Sequence, residues 1–130
     1  MRLAAACLLL LTLGACASSG GYIRTDVVWA EPPEAFYPVG LERAVIVTRD
    51  CLVDRGFVVF RVDRDGPRRV LWARRGPETL VRVLLRRDAD RDRVALRAIA
   101  EWHDRDHDRW VRRDSPREVM SEIDARLRER

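Results

Sequence analysis

The stretch LERAVIVTRDCLVDRGFVVFRVDRDG, residues 41–66, changes from the hydrophobic period of a helix to that of a strand. Over residues 41–55 the apolar and small side chains recur at three- and four-residue spacing, which predicts an amphipathic helix. They are Leu41, Ala44, Val45, Thr48, Cys51 and Leu52. Gly56 follows where a left-handed C-cap residue is expected. Residues 57–63 are rich in valine and phenylalanine and end at the turn signal Asp63-Arg64-Asp65-Gly66, so the stretch predicts a helix followed by a β-hairpin.

Three more strands are predicted downstream, at residues 69–75, 80–87 and 94–103. Gly76-Pro77 breaks the chain between the first two, and the polar residues 88–92 separate the last two. Residues 94–103 alternate with period two, but their apolar members also fit one face of a helix. Those members are Val94, Ala95, Ala98, Ile99 and Trp102. Short connections and strand-like neighbours favour the strand.

A second helix is predicted at residues 116–128. Ser115-Pro116-Arg117-Glu118 combines an N-cap serine, proline at the first helical position and glutamate at N3, which together form a capping box. The buried stripe of this helix is then supplied by Val119, Met120, Ile123 and Leu127. The order helix, four strands, helix predicts a two-layer α+β fold, in which both helices cover one face of an antiparallel sheet of about four strands.

The predicted domain occupies residues 38–130, which is enough chain for one domain and too little for two. Residues 16–37 contain Ser18-Ser19-Gly20-Gly21 and a proline pair, a composition typical of a tether. Phe36–Val39 could equally form an edge strand before the first helix.

The first fifteen residues are predicted to be a signal peptide. Arg2 is followed by an apolar run from Leu3 to Leu13 that is too short to span a bilayer, which needs about 20 residues. The next residues, Leu13-Gly14-Ala15-Cys16, resemble the lipobox of bacterial lipoproteins. The resemblance implies cleavage between Ala15 and Cys16, a diacylglyceryl thioether on Cys16 and an acyl chain on the new amino terminus, with no other cofactor. The alternative is an ordinary signal peptide that is cut near Ala17.

The same resemblance implies a location in the cell envelope. Ala17 stands where Gram-negative lipoproteins of the inner membrane tend to carry aspartate, so a lipid-anchored protein of the outer membrane, facing the periplasm, is expected.

Composition limits the chemistry of the chain. It has 25 basic and 21 acidic residues, a net charge of +4, and its basic residues are all arginine. Removal of Arg2 with the signal lowers the net charge to +3. Of three cysteines, Cys7 leaves with the signal and Cys16 carries lipid. Cys51 is then left as a single thiol without a disulfide partner, and its place on the helical stripe predicts a core residue.

The predicted elements resemble those of small bacterial envelope lipoproteins of unknown function. The matching stretches are residues 41–57, 63–66 and 115–127, and a similar arrangement occurs in the lipoprotein that assists lipopolysaccharide assembly. The resemblance implies a non-enzymatic adaptor or a module for envelope maintenance or assembly. No serine of the chain lies in a Gly-x-Ser-x-Gly setting, so no catalytic residue is assigned.

Four arginines form the first candidate site. If the helices cover one sheet face, the opposite face would present Arg61, Arg82, Arg86 and Arg97. Such a surface could bind anionic lipid, lipopolysaccharide or an acidic envelope protein through bidentate contacts, whereas nucleic acid is not expected in the periplasm. The alternative is a solvated face that is neutralised by Glu101 and the turn aspartates.

A second candidate site contains both histidines of the chain. His103 and His107 are four residues apart among carboxylates, and on a helix they would share a face and could bind a metal ion with Asp104 or Glu101. The alternative function is therefore a small metal- or ligand-binding periplasmic protein. If residues 94–103 form a strand, the histidines flank a polar turn instead.

Overall fold

The computed structural model describes residues 32–113 and 116–129. Within these residues, six strands form one antiparallel sheet, and two α-helices accompany it. In chain order the elements are β1 (Ala35–Tyr37), α1 (Leu41–Asp54), β2 (Val58–Asp65), β3 (Arg68–Arg75), β4 (Thr79–Asp88), β5 (Arg93–Asp104), β6 (Arg109–Arg113) and α2 (Arg117–Arg128). The predicted signal peptide, the lipobox with Ala15 and Cys16, and the predicted tether up to residue 31 lie outside the described residues.

Strands β2 to β6 follow one another as a meander. The order across the sheet is β1-β5-β4-β3-β2, and β6 also pairs with β5. On its outer side β5 pairs with β1 over Val94–Leu96 and with β6 over Ala100–Asp104, so two short strands share one sheet edge.

The α+β class is confirmed, and the predicted number of strands is wrong. The four predicted strands correspond to β2–β5, and residues 93–104 form a strand, not the alternative helix. The additional strands are β1, at the position of the alternative edge strand, and β6. Strand β1 has three residues and β6 has five, which is too few for period-two alternation to reveal a strand. Each of them pairs with a neighbouring strand on one side only.

Helix α1 ends as its sequence predicts. Gly56 adopts a positive φ of 80°, its N–H donates to the carbonyl of Val53, and the N–H of Phe57 donates to the carbonyl of Leu52. This is the Schellman arrangement, which satisfies the last carbonyls of a helix. Leu52 and Phe57 are both buried in the core, so the cap also sets the direction in which the chain enters β2.

Helix α2 differs from the prediction in its start and in its main contacts. Its N-cap is Pro116, without a side-chain capping bond, and Ser115 lies outside the described residues. Although Val119, Ile123 and Leu127 reach the common core, the helix packs chiefly against α1 and has fewer contacts with the sheet.

Ion pairs connect the two helices. Arg55 lies 2.5 Å from Glu122, and Arg126 lies 2.5 Å from Asp54. The hydrogen bond from Arg55, together with the charge of Arg126, holds the pKa of Glu122 below its usual range.

The core lies between the helices and one face of the sheet. In the described part of the chain, every core residue falls between Tyr37 and Leu127, so a chain that begins at Ala17 contains the whole of this core. Cys51 is buried and free, as predicted, and burial raises the pKa of its thiol to about 11. Within the described residues, neither helix has the length and apolarity needed to cross a bilayer.

Candidate anion-binding face

The sheet has one face against the helices and one face without a covering layer among the described residues. Along β4 the buried residues Val81, Val83 and Leu85 face the helices, and the half-buried residues between them point the other way. We call this second side the open face. It is built from alternate residues of each strand, and cross-strand register decides which side chains become neighbours.

The open face carries all four arginines that the sequence proposed as an anionic-partner patch. Arg61 opposes Trp72, which opposes Arg82 on the next strand. On β4 and β5, Arg86 opposes Ala95 and Arg97 opposes Leu84. By the same register, the arginines of the open face are Arg61, Arg68, Arg74, Arg82, Arg86, Arg93, Arg97 and Arg112. Its carboxylates are Glu34, Asp63, Asp65, Asp88 and Glu101. Among the described residues, eight arginines and five carboxylates leave this face with an excess of positive charge.

Trp72 lies at the centre of this face between two guanidinium groups. The Cζ atoms of Arg61 and Arg82 lie 5.4 Å and 5.2 Å from its ring centroid, within the range of cation–π attraction. The indole Nε1 donates to Asp63 Oδ2 at 2.8 Å, and Arg61 Nε donates to Asp63 Oδ1 at 2.6 Å. Arg82 donates in turn to Glu101. The hydrogen bonds from Arg61 and Trp72 hold the pKa of Asp63 below its usual range.

Exposed aromatic side chains surround this centre. Phe36 on β1, Phe60 on β2 and Trp110 on β6 are 38%, 51% and 40% exposed. The Cζ atom of Arg93 lies 3.8 Å from the Phe36 ring centroid, and that of Arg74 lies 5.4 Å from the Phe60 centroid. The rim of the open face therefore presents apolar rings beside positive charge.

Some of the positive charge is neutralised within the face, as the alternative interpretation of the sequence supposed. Glu101 pairs with Arg82, Asp63 with Arg61, and Glu34 with Arg86 at 3.3 Å. The aspartates of both predicted turns take part, because Asp63 belongs to the turn stretch 63–66 and Asp88, in the polar connection 88–92, pairs with Arg93 at 2.8 Å. Glu34, which precedes β1, adds a carboxylate that the sequence did not indicate.

The structure places the two histidines in separate pairs. His103 Nε2 lies 3.1 Å from Asp108 Oδ1, and His107 Nδ1 lies 2.8 Å from Asp104 Oδ2. Asp104 Oδ2 is also 3.6 Å from Arg109 Nε, and the hydrogen bond from His107 is the main cause that lowers the pKa of Asp104. In residues 32–113 and 116–129, no three or more His, Cys, Asp or Glu side chains are grouped so that they could hold a metal ion.

Sequence reasoning missed Trp72 and Glu34 as parts of the candidate site. The sequence contained a signal that Trp72 lies beside Arg82. Alternate residues of β3 share one face, and the three-residue loop 76–78 sets their register against β4. These residues are Arg68, Val70, Trp72 and Arg74. Glu34 gave no such signal, because it precedes a strand of three residues inside the predicted tether.

Comparison of the chain with protein-family models, with characterised proteins and with solved structures finds no match.

Proposed function

We propose that this chain is a lipid-anchored periplasmic protein of the outer membrane, and that it acts as a non-enzymatic adaptor whose open face binds an anionic membrane surface. The observation that carries the proposal is the placement of Trp72 between Arg61 and Arg82 at the centre of an uncovered, positively charged sheet face. The anchor is supported by the lipobox-like residues 13–16.

The composition of the open face favours lipid head groups as the occupant. Tryptophan and tyrosine are enriched at membrane–water interfaces, and Trp110 is exposed at its rim beside the exposed apolar rings of Phe36 and Phe60. Arginine side chains can lie along apolar surface while the guanidinium stays among phosphates. Each basic residue near an anionic leaflet contributes about 1 kcal/mol of attraction, so several arginines suffice for reversible binding.

The proposed lipid anchor allows a weak contact between the open face and lipid head groups to persist. A lipidated amino terminus confines the domain to the membrane surface, which raises the effective concentration of head groups at the open face. The face can then set the orientation of the domain without high affinity of its own.

The adaptor role is supported by the placement of the nucleophiles in the described residues. The thiol of Cys51 is buried with its pKa raised to about 11, so little reactive thiolate is present at neutral pH. Ser121 lies exposed on α2, on the helical side of the molecule. The open face is dominated by arginines, which bind anions but do not exchange protons at physiological pH.

The test uses residues 17–130, which contain the described core and lack the anchor. Binding to vesicles of phosphatidylcholine mixed with phosphatidylglycerol should exceed binding to phosphatidylcholine alone. It should also weaken as added salt shortens the Debye length from about 10 Å to about 3 Å. Sedimentation of the vesicles measures both effects.

A matched pair of double variants distinguishes the open face from net charge. Arg61→Gln with Arg97→Gln should weaken binding to the mixed vesicles by about tenfold or more. Arg43→Gln with Arg49→Gln removes the same charge from exposed positions of α1 and should have a much smaller effect. Equal binding to neutral and anionic vesicles, or equal losses in both double variants, would contradict the proposal and leave an acidic envelope protein as the partner to seek.

A further inference from the structure

One end of the open face contains a cavity of about 190 Å³. Three arginines of the open face line it, Arg68 from β3, Arg86 from β4 and Arg97 from β5. Arg69 also lines it, but its guanidinium group pairs with Glu42 at 2.9 Å. Its apolar floor consists of Val70, Leu84 and Ala95. A small space with an apolar floor and converging guanidinium groups is suited to one compact anionic group.

Two arginines of the cavity are direct cross-strand neighbours. Arg68 and Arg86 stand directly opposite each other in the β3–β4 register, and like charges in that position repel. Within residues 32–113 and 116–129, no carboxylate forms an ion pair with Arg68. On its other side Arg68 opposes Asp65 of β2, which offsets part of this repulsion, and an anion in the cavity would offset more of it.

A carboxylate of the chain itself reaches into this cavity. Glu34 lines it, and its Oε2 lies 3.3 Å from Arg86 Nη2. A glutamate offers one negative charge and two oxygens. A phosphomonoester offers up to two charges and three oxygens, and it matches the bidentate geometry of arginine.

We propose that the cavity between Arg68, Arg86 and Arg97 binds a phosphomonoester group, and that Glu34 is an internal competitor which this group displaces. This deepens the proposed function, on which it rests for the location of the site, by naming the chemical group bound at one place on the open face. The ligand is a phosphomonoester, either as a free metabolite or as the head group of a lipid.

The first test titrates inorganic phosphate into residues 17–130 by calorimetry, with chloride at matched ionic strength as the reference. Saturable binding is expected. Glu34→Gln should tighten it several-fold because the competitor loses its charge. Arg68→Gln should weaken it by about tenfold or more, since a hydrogen bond to a charged group is lost without breaking an ion pair among the described residues.

The control is Arg74→Gln. Arg74 lies on the same strand and the same face as Arg68, is exposed like Arg68, and does not line the cavity. Its replacement removes the same charge and should leave phosphate binding nearly unchanged. Equal weakening by both variants, or no saturable binding by the parent and by Glu34→Gln, would overturn the proposal.

Vesicles distinguish the two sources of the ligand. Tighter binding to phosphatidic acid than to phosphatidylglycerol at equal surface charge, sensitive to Arg68→Gln, assigns the site to a lipid head group. Equal binding to both lipids, with phosphate binding intact, assigns it to a soluble phosphomonoester.

If salt-sensitive vesicle binding persists without phosphate binding, only this inference fails. If phosphate binds and vesicles do not, the membrane-docking function fails and the cavity stands.

Discussion

The absence of lysine has a structural consequence at Trp72. A guanidinium group is planar, so Arg82 can lie over the indole ring and at the same time donate to Glu101. Arg61 likewise lies over the ring of Trp72 and donates a hydrogen bond to Asp63. Lysine, with a compact ammonium group, cannot stack in this way. Because arginine stays protonated at any physiological pH, the positive charge that the arginines give to the open face does not depend on the acidity of its compartment.

Tyr37 gives a prediction about alkaline stability. Its side chain is buried and its hydroxyl donates to Asp124 Oδ1 at 3.1 Å. Burial, followed by the charge and hydrogen bond of Asp124, raises the pKa of Tyr37 to about 12. Because the folded-state pKa exceeds that of the unfolded chain, this contribution to stability is complete below pH 10 and is lost as the pH rises toward 12. The loss amounts to about 2–3 kcal/mol.

The comparison with Tyr37→Phe isolates this effect. The variant should be less stable than the parent by about 1 kcal/mol near neutral pH, because the hydrogen bond to Asp124 is removed. Above pH 10 the difference should shrink and then change sign. Urea unfolding at a series of pH values measures it, and the lack of lysine removes the usual competing titration in this range. A difference that stays constant up to pH 12 would show that Tyr37 ionises without constraint in the folded protein.

At the level of elements, the helices and the four longer strands could be predicted from periodicity, whereas the predicted placement of Arg61 on the open face is correct for a reason that periodicity does not supply. Strands β2 to β5 are eight to twelve residues long, enough for alternation and turn signals to agree. Simple alternation would place Arg61 on the same side as Val59, toward the helices. A bulge between these residues inserts Phe60, so Val59 opposes Ala73 and Arg61 opposes Trp72 on the open face. A bulge follows from three-dimensional strand pairing, so local sequence does not reveal it.

How well each candidate site could be predicted also depended on whether its strands and turns follow regular pairing. The arginines of β4 and β5 could be assigned to one face because neither strand has an irregularity in its pairing. The histidine pairing depended on the four-residue loop after Asp104, which ends at Asp108 with a positive φ of 47°. That turn brings Asp108 to His103, a contact that sequence spacing did not indicate.

Helix α2 gives a prediction about packing. Ile123 is fully buried between α1 and the sheet, so Ile123→Ala should lower the free energy of unfolding by about 2–5 kcal/mol through lost burial and a residual cavity. Ile46 on α1 is 60% exposed, and Ile46→Ala makes the same chemical change with an expected effect within about 0.5 kcal/mol. Urea unfolding followed by circular dichroism measures both. Similar effects of the two variants would mean that α2 does not pack against α1 as described.

For the whole molecule, the proposed anchor and the open face act on the same membrane with different strengths. Acyl chains contribute about 0.8 kcal/mol per buried methylene, so two or more chains hold a protein durably. The arginine face adds a weaker contact that depends on ionic strength. Loss of the anchor should therefore leave a residual, salt-sensitive association, and loss of the face should leave the protein on the membrane.

Replacement of Cys16 tests the anchor in cells. Cys16→Ser removes the thiol that would carry the diacylglyceryl group, so the protein should leave the membrane fraction when it is washed at high salt, whereas the parent should remain there. Cys7→Ser is the matched control, since it makes the same change inside the predicted signal and should behave as the parent does. Metabolic labelling with palmitate should mark the parent and Cys7→Ser, and not Cys16→Ser. A Cys16→Ser protein that stays in the washed membranes as fully as the parent would show that Cys16 is not the anchor, and the open face would then have to account for all of the membrane binding.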